Sequence, residues 1–272
     1  NRDSELHPRP NDRKVGQADL MTLMHPISVT ICNINAVMKI SGPTSFSGTV
    51  KERYREFVTR NRTNRVDLYL TFRLSKEHST PIINRPEVSA SRNRWHFNGP
   101  YYECTVARKN GRWEGLATIP ANIYVFDTVL RVLWSLLLPE RDAFLVHSCG
   151  IANGKVAYLF PGRSGSGKTT LARKAGRKRV LSDELVCIQI TPDGCDVIGT
   201  PFWGEFQKGG RPIQRALQGI YFLKKIALTK AVKISDCLAF KKMLKLVLFF
   251  GPDASKTNKL LKLVSACVAQ TR

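Results

Sequence analysis

Just past the middle of the chain, Gly162-Arg163-Ser164-Gly165-Ser166-Gly167-Lys168-Thr169 fits the pattern G-x-x-x-x-G-K-[ST] at every fixed position. An apolar strand-like run precedes it and a helix-like run follows. In such a loop, glycines let successive backbone N–H groups turn inward around a phosphate. The lysine then reaches the β/γ oxygens and the hydroxyl ligates Mg²⁺. The helix that follows adds the positive end of its dipole at the same spot. The expected nucleotide-binding residues are therefore Gly162, Arg163, Ser164, Gly165, Ser166, Gly167, Lys168, Thr169 and Thr170, with ATP and Mg²⁺ as cofactors.

The 272 residues provide for one large domain or two small ones, with ample core. Lys and Arg number 43 against 21 Asp and Glu, a formal charge of +22. That balance favours polyanionic partners: nucleotides, nucleic acid, anionic membrane or an acidic protein. A solvated basic surface accounts for it equally well. Seven cysteines are odd in number, scattered and never spaced C-x-x-C, and the five histidines lack ligand spacing. This reads as reduced thiols, with neither a disulfide framework nor a structural zinc. No signal peptide or membrane-spanning run is visible, so the expected compartment is cytoplasmic.

Three portions follow from the patterning: a polar leader over 1–26, a β-rich portion over 27–119 and a nucleotide-binding portion over 120–272. In the β-rich part, 28–33, 36–40 and 66–72 read as strands and 51–59 as a short helix. The polar, proline-bearing stretch 75–98 reads as a loop. Residues 101–107 and 113–119 flank Lys109-Asn110-Gly111, a hairpin signal. Beyond it, 126–138 reads as an apolar helix stopped by Pro139. Strands over 143–152 and 155–160 are joined at Asn153-Gly154, which predicts a type I′ turn. After the glycine loop come a helix over 169–175 ended by Gly176 and strands near 179–181, 184–190, 195–198 and 218–223. Ser235 or Asp236 caps a helix over 237–249 and Ser255 caps a last one. The glycine loop is thus fed by an antiparallel hairpin.

Asp183 and Glu184 close a short strand soon after Lys168. One carboxylate beside such a loop can hold Mg²⁺ and the other accept the proton of an attacking hydroxyl. A charged turn is the alternative. His147 stands in an apolar strand, where a histidine is as readily structural as catalytic. Pro201-Phe202-Trp203-Gly204-Glu205 either lines a pocket or packs a turn, and Lys208-Gly209-Gly210-Arg211 is a basic segment suited to covering phosphates or to solvent. Lys241, Lys242 and Lys245 share one face of the 237–249 helix, with Lys256, Lys259 and Lys262 along the next. A basic amphipathic helix of this kind rests on anionic membrane or nucleic acid, or packs on a core with its lysines solvated.

Together, His147-Ser148-Cys149-Gly150-Ile151, the glycine loop, Leu181-Ser182-Asp183-Glu184 and Pro201-Phe202-Trp203-Gly204-Glu205 resemble the HPr kinase-like family. The likeness covers residues 120–250 well and 27–119 loosely. It implies an α/β (α+β mixed-sheet) fold similar to phosphoenolpyruvate carboxykinase. By the resemblance, Lys168 and Thr169 bind phosphate and Mg²⁺, Asp183 is the catalytic base, and His147 matches the histidine upstream of the loop. Glu184 replaces the family's second aspartate at the metal. The glycine-rich signature that holds HPr is absent after Ile198, so HPr is not the expected acceptor. The resemblance also implies one more strand after Cys267. The activity expected is transfer of the γ-phosphoryl of ATP to a hydroxyl, a serine of a peptide, protein or small molecule, with an acidic acceptor favoured by the charge. A non-catalytic nucleotide sensor or assembly protein is the alternative.

Overall fold

The computed structural model describes residues 26–59, 65–76, 86–91, 93–204, 210–225, 230–251 and 253–271. The leader lies outside them, apart from its last residue, as do Glu205 and Lys208-Gly209. Strands β1 (Ile27–Ile31), β2 (Ile34–Ser41), β3 (Leu68–Leu74), β4 (Glu87–Ser91), β5 (Arg94–Gly99), β6 (Tyr102–Lys109) and β7 (Arg112–Ile119) form one seven-stranded sheet in the order β1-β2-β3-β7-β6-β5-β4. Helix α1 (Thr44–Tyr54) is the crossover that makes β2 and β3 parallel. Cys32 and Asn33, both at positive φ, form the tight turn between β1 and β2, and Asn110-Gly111 does the same between β6 and β7.

The polar stretch expected to be a loop over 75–98 instead contains β4 and β5. An edge strand such as β4 buries no side chain and so leaves no alternation to read, while β5 buries Trp95 and Phe97 between polar neighbours. The α1 helix starts seven residues before its expected start at Lys51, because its apolar stripe is Phe46, Val50 and Tyr54.

A second sheet is built from β8 (Ala143–Asn153), β9 (Val156–Pro161), β10 (Val180–Ser182), β11 (Leu185–Thr191), β12 (Gly194–Ile198), β13 (Gln214–Ile220) and the short β14 (Val247–Leu248). Its pairings run β8-β11-β12-β13-β9 and return from β9 to β8, so this sheet closes on itself. The molecule is therefore mixed α/β with mixed sheets. The β8–β9 turn departs from the type I′ expectation. Asn153 pairs with Val156, leaving Gly154-Lys155 as the turn, with only Gly154 at positive φ (61°), which is the II′ pattern. Strand β13 begins at Gln214, four residues earlier than 218–223 predicted, because its first half has no fully buried residue to mark it.

Helix α2 (Ile123–Leu137), capped by the Asn122 side chain, packs between the two sheets and is buried almost all round. It extends three residues further upstream than its expected start at Phe126. One apolar core joins α1, α2 and the first sheet to Leu145, Leu185, Cys187 and Ile198 of the second and to Phe202 just beyond β12. The opposite face of the second sheet, with Phe144, Val146, Val186 and Ile188, is covered by α4 (Asp236–Leu244) and α5 (Ala254–Gln270). Asp253, two residues before the expected Ser255, caps α5. The lysines of these helices are partly engaged. Lys256 stacks on Trp95 at 4.3 Å and pairs with Glu140 at 3.7 Å, and Lys259 pairs with Asp142 at 3.2 Å. Among the described residues, no helix is long and apolar enough to cross a membrane.

Candidate functional site

The glycine loop leaves the end of β9 and runs into α3 (Lys168–Ala175), which packs through Ala172 on Cys149 and Ile151 of β8. Gly165 (φ 78°) and Gly167 (φ 100°) take backbone conformations that side chains disfavour. The Gly162 N–H donates to the His147 carbonyl at 3.1 Å, fixing the loop to β8. At Gly162 a Cβ would fall 2.3 Å from Ser166 Oγ, which is itself buried without a hydrogen-bond partner among the described residues. Lys168 is only 7% exposed, and its Nζ donates to the carbonyls of Gly162 (2.7 Å) and Arg163 (2.9 Å). Two neutral carbonyls do not neutralise a buried ammonium, so this position favours an anion.

The carboxylates reach the same place through strand register. β10 and β11 both run antiparallel to β8, with Ser182 opposite Gly150 and Leu185 opposite His147. Asp183 and Glu184 fill the gap between them, and the Glu184 carbonyl accepts from Ser148 N–H at 3.0 Å. Asp183 is 3% exposed, and its Oδ1 accepts from Gly204 N–H at 3.1 Å. Glu184 Oε1 lies 3.4 Å from His147 Nδ1. That contact holds the Glu184 carboxyl below its usual range; burial opposes the shift, and the charges of His147, Arg131 and Lys168 add to it. Burial, with the charge of Asp183, pushes the neighbouring Cys149 thiol up to about 12, which keeps it protonated.

The segment Pro201-Phe202-Trp203-Gly204 is held against these acids by Ser182 Oγ and Leu185 N–H, both donating to the Phe202 carbonyl. Gly204 approaches so closely that a Cβ would sit 2.7 Å from Glu184 Oε2. Between this segment and the glycine loop lies a cavity of about 640 Å³, a size that admits a nucleotide-scale ligand. Ser164, Gly165, Gly167, Lys168, Thr169 and Thr170 form one side, and Asp183, Glu184 and Gly204 another. Arg131 and Lys225 complete the wall.

Most of the residues expected from the sequence thus converge on one cavity. Gly162, Arg163 and Ser166 stand behind its wall, and His147 acts on it through Glu184. Arg211, expected to cover phosphates, is turned away. Its N–H donates to the Leu181 carbonyl and its guanidinium to the Lys178 carbonyl at 2.7 Å. Arg131 was not foreseen, yet a signal existed: Asp127 and Arg131 are the only charged residues in the apolar run of α2. Among the described residues, no three His, Cys, Asp or Glu side chains form a metal cluster. The donor set of Thr169 with Asp183 and Glu184 instead fits Mg²⁺, which binds through one or two carboxylates and the substrate's phosphates. No protein-family model matches this chain, and no curated protein matches it.

Proposed function

We propose that the protein is an ATP-dependent kinase of the HPr kinase-like type, with a phosphoenolpyruvate-carboxykinase-like fold, that phosphorylates a hydroxyl group. The observation that carries this reading is the buried Asp183 carboxylate on the cavity wall that also holds Lys168 and Thr169. The glycine loop and Lys168 would hold the donor phosphates, and the charge of Lys168 would stabilise negative charge as the phosphoryl group moves. Asp183 would accept the proton of the acceptor hydroxyl, oriented for this by the Gly204 N–H. Thr169, with Asp183 and Glu184, would hold Mg²⁺, which neutralises phosphate charge when bound. His147 would set the orientation of Glu184.

A second reading, a non-catalytic nucleotide sensor, draws support from the Glu184–His147 pair, which engages the acid standing where the family has its second aspartate. Transfer from labelled Mg·ATP to free serine, a serine-containing acidic peptide and an HPr-type protein separates the two. Label on an acceptor, lost in Lys168→Ala and Asp183→Asn, supports the kinase. Nucleotide bound by the wild type and by Asp183→Asn, with no label anywhere, establishes the sensor.

A further inference from the structure

The cavity has a second cationic side that the glycine loop does not account for. Arg131 reaches it from α2, stacked over the Phe202 ring at 5.7 Å, with its Nε buried and without a hydrogen-bond partner among the described residues. Beside it, Arg53 of α1 lies 4.0 Å over the Trp203 ring. The Nε of Arg53 and the Nε1 of Trp203 are likewise buried and unpartnered among the described residues. Of these three donors only that of Arg131 belongs to a residue lining the cavity, and a buried N–H left without an acceptor is costly.

The nearest carboxylates are already committed. Asp127, buried on α2 one turn before Arg131, accepts from the Arg53 guanidinium and from Tyr54 Oη at 2.7 Å. Glu184 is held by His147. A guanidinium stays charged at any physiological pH and presents a planar fork that matches a carboxylate or a phosphate. Arg131 also enters the cavity from a different element than the residues expected at the donor phosphates. The phosphates have Lys168, the loop and the start of α3, whereas Arg131 packs on Phe202, whose carbonyl holds Ser182 and Leu185 beside the two acids.

We infer that Arg131 is a specificity-determining residue on the acceptor side, where it binds an oxyanion carried next to the hydroxyl to be phosphorylated. The acceptor class is then a small hydroxy acid or hydroxy phosphate. Arg53 and Trp203 stack on each other and hold two further buried donors, on residues outside the cavity lining. The inference rests on the kinase reading above for its donor site.

The test fills the donor site with Mg²⁺ and a non-hydrolysable ATP analogue, then titrates glycerate, glycerol 3-phosphate and glycerol by calorimetry. An anionic compound binds the wild type and glycerol does not; which of the two anions binds separates carboxylate from phosphate. Arg131→Gln weakens that binding about tenfold or more, Arg131→Lys weakens it less, and both keep the affinity for the analogue within about twofold. Circular dichroism checks folding, and if Arg131→Gln is unfolded, Arg131→Lys carries the test. An anion affinity that does not change in the folded variant overturns the inference. So does a loss of analogue affinity equal to that of Lys168→Ala, which would place Arg131 on the donor. Failure of the wild type to bind the analogue brings down the kinase reading together with this inference. Analogue binding without anion binding brings down this inference alone.

Discussion

The two sheets bury different things. Among the described residues, the first sheet buries apolar and aromatic side chains and cysteine, with the Tyr102 hydroxyl as a buried polar exception, on alternate positions of each inner strand. The second buries Ser148, Lys168, Ser182, Asp183 and Thr200 within or beside its strands. Burial of polar groups costs free energy unless they are paired, so their concentration in one sheet marks the candidate site as the place where the fold gives up stability. The first sheet is a support. Helix α2 joins the two, and its pair of charges, Asp127 and Arg131, faces the junction. The lesson is that the candidate site is not built from the glycine loop and the second sheet alone: α2 also reaches its wall, through Arg131.

The sharpest way to break this contrast is to change one residue in each sheet. Asp183→Asn keeps shape and removes the proposed base, so on the kinase reading phosphoryl transfer falls by about 10²–10⁴-fold or more. Nucleotide affinity, measured by equilibrium binding, stays within about threefold. The counterpart in the first sheet is Phe72→Ala. Phe72 is fully buried and packs 4.4 Å from the Phe126 ring of α2. Its truncation costs about 3–5 kcal/mol in a urea melt, with specific activity per folded molecule unchanged. Transfer surviving in Asp183→Asn would sink the division of labour, as would loss of specific activity in folded Phe72→Ala.

A finer cut tests the wall between the two sheets. Gly204→Ala places a methyl 2.7 Å from Glu184 Oε2 and 3.4 Å from its Cβ. The carboxylate is the far end of a side chain and yields, so the expected cost to stability is small, about 1 kcal/mol. The larger consequence is positional. The Gly204 N–H shifts off Asp183, and the KM for the acceptor rises more than the KM for ATP. Equal rises in both would place Gly204 at the donor end instead.

How far the sequence carried this picture depends on what each signal encodes. The convergence of the glycine loop, Asp183 and Glu184 on one cavity was legible because the loop motif places particular residue types at short spacing, and register then brings the two parts together across β8. Hairpins with Asn-Gly were legible because φ > 0 leaves few choices, although the β8–β9 turn shows the same dipeptide shifted by one position. Closure of the second sheet was not legible. It depends on the parallel β9–β13 pairing between residues 156–159 and 216–220, which no local pattern encodes. Arg131 was hidden for the same reason. An isolated cation in an apolar helix declares that it has a purpose, but only the packing of α2 against Phe202 shows which cavity it serves.

The smallest effect sharpens the comparison by pH. Glu184 is stabilised as the anion by His147, so its folded carboxyl titrates below its ordinary value. In the unfolded chain it titrates at about 4.3. Between those two values the unfolded state takes up the proton first, and stability falls as the solution is made more acidic. The contribution is therefore complete above the unfolded value and disappears as pH drops through the folded one. Glu184→Gln removes this linkage. Its urea midpoint is slightly lower than wild type near neutrality, and the difference shrinks as pH falls through the carboxylate range. A change in the first sheet such as Phe72→Ala lowers the midpoint by the same amount throughout that range, since no carboxylate is involved. Parallel curves for wild type and Glu184→Gln would mean that the His147 contact carries no free energy, leaving Glu184 to be explained by the proposed Mg²⁺ alone.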